Sequence, residues 1–147
     1  IPFNNDYFDS IVCFEVLEHV FNPDEFLREA NRVLKIGGTA LFTVPFIWDE
    51  HEQPYDFARY SSFGLNHIFQ KAGFSVVSGR KYVNDLRIIS LLINAYIYKV
   101  IRKILNHKVA YLMILPLTSI NNILGHIFYL LPGNSDMYYG NIFLLKK

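Results

Sequence analysis

Two short stretches hold the residue types from which a reaction could be built. The first is Glu15-Val16-Leu17-Glu18-His19, two carboxylates and an imidazole within five residues. An imidazole with an ordinary pKa of about 6.5 takes a proton from a hydroxyl near neutral pH, which makes His19 a candidate general base. A backbone hydrogen bond that merely shapes the loop is its structural alternative. The second stretch is Trp48-Asp49-Glu50-His51-Glu52-Gln53-Pro54-Tyr55-Asp56-Phe57-Ala58-Arg59-Tyr60. Trp48, Tyr55 and Tyr60 suit stacking on a ring, His51 suits a substrate hydroxyl or a second base, and Arg59 suits an acidic substrate. Arg59 has a competing use, pairing inside the loop with Asp56 or Glu52.

These stretches need elements to position them. Phe8 to Phe14 is a short apolar run after a polar turn, the pattern of a strand buried on both faces. Asn22-Pro23-Asp24-Glu25 supplies an N-cap, a proline at the first helical position and acids at the positive end of the helix dipole. Phe26, Leu27, Ala30, Val33 and Leu34 follow at helical spacing with Arg28, Glu29 and Arg32 facing water, and Gly37-Gly38 ends the helix. Thr39 to Val44 reads as a second buried strand stopped by Pro45. Residues 46–60 then form a long loop without period, Ser61 or Ser62 caps a helix closed by Gly73, and Phe74 to Val77 begins a third strand. Long loops at the carboxyl edge of a parallel sheet are where α/β folds keep their ligands.

From Leu86 the composition changes. Apolar residues recur every three to four positions to Ile104 beside Arg102 and Lys103, which predicts an amphipathic helix with a basic face. A second apolar stretch runs from Val109 to Leu131, interrupted by Pro116, Asn121, Asn122, Gly125 and His126, so neither stretch reaches the 18 or so unbroken apolar residues of a membrane span. Tyr138 to Leu145 reads as a final edge strand. Overall the 147 residues are 52% hydrophobic and 18% charged with a net charge of +1. That total gives no case for a nucleic-acid partner, yet residues 1–60 hold 4 basic and 11 acidic side chains while residues 61–147 hold 10 and 2. A single cysteine excludes a disulfide scaffold and a multi-thiolate zinc module.

FDSIVCFEVLEHV at 8–20, followed by NPDEFLREANRVLKIGGTALFTVP, resembles the second half of the class I S-adenosylmethionine-dependent methyltransferases. The resemblance covers about residues 1–82 and a last strand near 138–146. It implies an α/β fold, a partial and mostly parallel Rossmann-like sheet, here one partial domain over residues 1–147 with a helical, hydrophobic insert at about 84–136 before the last strand. It implies S-adenosyl-L-methionine as cofactor, bordered by Cys13, Phe14 and Glu15 at the end of the first strand. The family's glycine-rich loop and ribose-holding acid are not in this sequence. At about 30 residues per strand-helix-strand unit they would occupy roughly 80 to 100 further residues, and the chain alone is expected to bind the cofactor poorly.

Ubiquinone-pathway O-methyltransferases carry a similar E-x-x-E-H, a resemblance that implies magnesium at Glu15, Glu18 and His19 as an alternative to the base and the loop-shaping roles of His19; the expected site holds no metal. The loop resembles an H-E-x-P-x-D-(F/Y)-x-R stretch of bacterial methyltransferases found near surface-polysaccharide genes. The expected activity is methyl transfer to an oxygen or nitrogen of a small or lipid-linked, glycan-type acceptor, in the cytoplasm or at the inner face of the membrane. The rival expectation is a non-catalytic methyltransferase-fold module. The 84–136 insert is expected to make peripheral contact with an anionic membrane, to pack on itself or on a second subunit as a homodimer, or to form a plain intramolecular cap.

Overall fold

The computed structural model describes residues 1–133 and 136–147; Asn134 and Ser135, within the expected insert, lie outside the described residues. Strand β1 (Phe8–Phe14) leads through a 3-10 turn at Leu17–His19 into helix α1 (Pro23–Val33) and strand β2 (Leu34–Pro45). Asn22 caps α1 by accepting the Glu25 amide at 3.4 Å, and Pro23 occupies its first turn, as the sequence dictates. Helix α2 (Ser62–Lys71) starts where the Ser61 hydroxyl accepts the Gly64 amide at 3.2 Å, and strand β3 (Ser75–Tyr82) follows. After helices α3 (Arg87–Ile104) and α4 (His107–Phe128), strand β4 (Gly140–Lys146) returns to the sheet.

The sheet order is β1-β2-β4-β3. β1 runs parallel to β2, while β4 is antiparallel to both β2 and β3, so three strands share one direction and only the last opposes them. The last strand is therefore central, where an edge strand was expected. Its buried Asn141, Phe143 and Leu145 alternate with more exposed residues, the pattern of a strand with one covered face.

The chain divides into two compact units, residues 1–82 with 140–147, and residues 83–139, the second containing the 84–136 stretch read from the sequence as an insert. In the first, Leu27 and Ala30 of α1 and Leu65 and Phe69 of α2 pack on one side of the sheet over Cys13, Ala40, Phe42 and Leu145. Phe42 and Phe69 stand 5.1 Å apart, ring to ring. The opposite face is not covered within this unit: Val12 is 61% exposed and Phe14 53%. This corrects the expectation that β1 is buried on both faces, because α1 and α2 both lie on the same side. Arg32 also departs from expectation. Its guanidinium donates to the carbonyls of Ile1 and Phe3 and to Asn5 Oδ1, tying the first residues to α1 rather than facing water.

In the second unit α3 and α4 pack on each other, and the polar interruptions of α4 explain how. Asn121 Nδ2 donates to Ser90 O at 2.7 Å and to Asn94 Oδ1 at 2.8 Å, Asn94 Nδ2 donates to Asn122 Oδ1 at 2.7 Å, and Gly125 leaves room for Ser90. With those groups turned to α3, the remaining face is apolar; Leu112, Leu115, Ile120 and Ile123 are exposed. Among the described residues one helix, α4, is long and apolar enough by length and composition to cross a membrane, over His107–Ile127 with mean hydropathy 1.2. Counting uninterrupted apolar residues missed this, since the interruptions sit on one side.

Candidate functional site

β1 ends at Phe14, and the chain turns at once: Glu15 takes a left-handed φ of 49° while its amide donates to Thr43 O at 3.0 Å. A left-handed conformation is costly for a residue with a Cβ, about 1–2 kcal/mol, and persists where surroundings fix it. Here Tyr82 of β3 donates its hydroxyl to Glu15 Oε1 at 3.1 Å. The 3-10 turn then drives Leu17 and Glu18 fully into the interior. Glu18 is the surprise, since ionisable residues in such a turn usually face solvent. Neither of its carboxylate oxygens has a hydrogen-bond partner among the described residues. Burial pushes its carboxyl up from the ordinary carboxylate range.

The loop 46–60 lies against this turn through its backbone. Glu18 O accepts the amides of Phe57 at 2.9 Å and Ala58 at 3.2 Å, and His19 Nδ1 lies 2.7 Å from Tyr55 O. Arg59 organises the loop from inside. Its guanidinium donates to both oxygens of Asp56, at 2.5 and 2.7 Å, and to the carbonyls of Asp49 at 2.7 Å and Ala58 at 2.8 Å. The Asp56 carboxylate also accepts the His51 amide at 3.0 Å. Arg59 beside it holds the Asp56 carboxyl far below its ordinary value. Glu52, the other partner weighed for Arg59, is exposed and left-handed at φ 51°.

The clamp delivers His51 to His19. Their rings stand edge to face with centroids 4.7 Å apart and Nε2 atoms 3.1 Å apart. Glu18 Oε1 is 3.7 Å from His19 Nε2, and one ligand atom from each of Glu18, His19 and His51 lies within 4.8 Å of the others. Two histidines named separately from sequence, 32 residues apart, thus form one centre. Glu18 completes it and was left out of the site assigned from sequence. Its only signal was its place in E-x-x-E-H.

The remaining residues are distributed around this centre. Cys13 is buried in the core, where desolvation first and then the Glu18 charge push its thiol up to about 11. Phe14 presents its ring on the uncovered sheet face. Tyr55 is two-thirds exposed, Trp48 is half-buried, and Tyr60 packs against the core, with its carbonyl accepting from Asn141 Nδ2 at 3.2 Å. An exposed aromatic at the carboxyl end of β1 fits one flank of a nucleoside cofactor.

Comparison with known proteins agrees with the sheet. Residues 1–42 match the methyltransferase domain family. No curated protein matches the chain. Among solved structures, the 4+2 cyclase SpnF is 20% identical, covers 100% of this chain and 52% of its own, and superposes with a TM-score of 0.60. Phosphoethanolamine N-methyltransferase 2 of Haemonchus contortus, in complex with S-adenosyl-L-methionine, is 17% identical over 99% of this chain and 34% of its own, with a TM-score of 0.60. The chain spans about half or less of the length of these relatives. With a methyltransferase-domain match at its start and this sheet throughout, the chain carries the fold of the class I S-adenosylmethionine-dependent methyltransferases.

Proposed function

We propose that the protein containing this chain transfers a methyl group from S-adenosyl-L-methionine to a hydroxyl or amine of a small or lipid-linked, glycan-type acceptor. The observation that carries the reading is the paired His19 and His51 beside the carboxyl end of β1, on a fold shared with a structure that holds that cofactor. Fold likeness alone would not suffice, because a cyclase shares it. The cofactor, when bound, supplies a methyl on a sulfonium; a carbon–oxygen or carbon–nitrogen bond forms as the sulfur–carbon bond breaks, and the electron pair stays on sulfur.

What the chain's own residues contribute is position and a proton acceptor. Phe14 and the backbone at Cys13 and Glu15 would flank the cofactor, Trp48, Tyr55 and Tyr60 would orient the acceptor, and the histidine pair would take the hydroxyl proton. Arg59 is occupied by Asp56, which supports a loop-holding role over an acidic substrate. The exposed apolar side of α4, next to Lys103 and Lys108, supports peripheral contact with an anionic membrane at the inner face as the source of a lipid-linked acceptor. A homodimer through the same side is the competing occupant.

The test is transfer of labelled methyl by the native full-length protein to a panel of hydroxyl and amine glycans, free and in liposomes. Product with the wild type and loss of at least about tenfold in His19→Ala, the low end of acid–base contributions, is expected. Absence of transfer with bound cofactor demonstrated would overturn the reading. Liposome binding that survives Arg102→Glu with Lys103→Glu would sink the membrane part.

A further inference from the structure

His19 and His51 are each held in one tautomer by a backbone carbonyl. His19 Nδ1 lies 2.7 Å from Tyr55 O, and His51 Nδ1 lies 3.1 Å from Asp49 O with Asp56 Oδ2 at 3.4 Å. Arg59 also approaches His51 Nδ1, at the longer distance of 3.5 Å. Carbonyl oxygens only accept, so both Nδ1 atoms carry the proton and both Nε2 atoms of the neutral rings carry a lone pair. Yet the two Nε2 atoms face each other at 3.1 Å. Two lone pairs at that separation repel unless a cation lies between them. Beside them is Glu18, fully buried, with both oxygens unpartnered among the described residues and one of them 3.7 Å from His19 Nε2.

We propose that Glu18, His19 and His51 form a binding site for a borderline divalent cation of the Zn2+ type, with a further coordination position left open. Imidazole nitrogens and carboxylate oxygens bind Zn2+ at about 2.0–2.2 Å, which in a tetrahedron sets neighbouring ligand atoms about 3.4 Å apart; the two separations from His19 Nε2, 3.1 and 3.7 Å, bracket that value, and ligand atoms of Glu18 and His51 lie within 4.8 Å of each other. The carbonyls on the two Nδ1 atoms are the outer partners that fix ring orientation in metal-bound histidines. The Arg59–Asp56 clamp adds a further layer, since Asp56 accepts the His51 amide.

The ligand set is not the one E-x-x-E-H implies. Glu15 accepts from the Tyr82 hydroxyl and stands outside the cluster; His51 from the loop takes its place. Two imidazoles with one carboxylate favour Zn2+, Co2+ or Ni2+ over Mg2+, which prefers oxygen donors. Three protein ligands with an open position are the arrangement of catalytic rather than structural zinc. With the cation bound both Nε2 atoms are engaged, so the histidine pair takes a hydroxyl proton itself only in the cation-free protein and otherwise would act on the acceptor oxygen through the cation. Assigning the open position to that oxygen rests on the transferase reading; the site itself does not.

The experiment is calorimetric titration of the chelator-treated chain with Zn2+ and then Mg2+, with the visible spectrum of Co2+ as a direct report of ligand geometry. One equivalent of Zn2+ is expected, with no displacement by Mg2+ and a Co2+ absorption of four-coordinate type. His51→Ala, on a half-exposed loop, should weaken binding by more than about tenfold, the low end of what losing even an outer partner costs. Glu18→Gln should do the same if its circular dichroism is native. No saturable Zn2+ binding would overturn the site in favour of a proton shared between the imidazoles. Loss on Glu15→Gln with retention in His51→Ala would overturn it in favour of the other ligand set. S-adenosylhomocysteine binding, measured separately, distinguishes failure of the metal site from failure of the transferase reading.

Discussion

Removing the Asp56 carboxylate should loosen the loop more than any other single change there. Its side chain is 3% exposed and accepts three hydrogen bonds: two from Arg59 and one from the His51 amide. Bonds to a charged group contribute about 1.5–3 kcal/mol each, and leaving one partner of a buried pair unpaired costs roughly 3–5 kcal/mol. Arg59 is 23% exposed and keeps the carbonyls of Asp49 and Ala58, so the low end applies, about 3 kcal/mol for Asp56→Ala. Part of that cost will be expressed as local opening, limited by the loop's own stability. Urea unfolding reads the global part. Hydrogen exchange at the Phe57 and Ala58 amides, which donate to Glu18 O, reads the local part. Global destabilisation below about 1 kcal/mol with unchanged exchange at both amides would refute the clamp. The pH dependence follows with a definite sign. Because the folded carboxyl is depressed below its ordinary 3.8, the clamp's stability is present above that value and is lost only as pH falls well below it.

Two further predictions follow from burial and close packing. The Cys13 thiol, buried and raised to about 11 against an ordinary 9.0, should resist alkylation at pH 8 in the native protein and react once unfolded; its preference for the neutral form stabilises the fold below about pH 9 and is lost by about 11, which a pH series of melting temperatures will read. In the helical unit, a Cβ at Gly125 would sit 2.8 Å from Ser90 Oγ, so Gly125→Ala should cost about 1–3 kcal/mol in spite of alanine's better helix propensity. Combining it with Ser90→Gly should recover much of the packing loss, and additivity of the two would contradict the contact.

The sequence carried what is decided locally. The α1 start was readable because Asn22 and Pro23 act on neighbouring amides, and the α2 start because Ser61 does. The position of β4 was not, since the pairing of Gly140–Lys146 between β2 and β3 is set by partners some 60 to 100 residues away and an apolar run reads alike at an edge or in the centre. Burial of Glu18 was hidden for the same reason: a carboxylate in a short turn looks solvated until the loop carbonyls and amides are laid over it. His19 and His51 were each legible as chemistry-bearing residues, but their meeting depends on Arg59 folding the loop onto Asp56. The polar breaks in α4 looked like interruptions of a hydrophobic stretch; Asn121 and Asn122 are its seam with α3.

The proposed use of the fold rests on whether the carboxyl end of β1 meets a nucleoside cofactor. Calorimetric titration of the native full-length protein with S-adenosylhomocysteine, repeated on Phe14→Ala, measures this directly. The exposed Phe14 ring should contribute about 1.4 kcal/mol to binding as an aromatic cover, a tenfold weakening in the variant with unchanged thermal stability. No binding by the native protein, or equal affinity in Phe14→Ala, would contradict it.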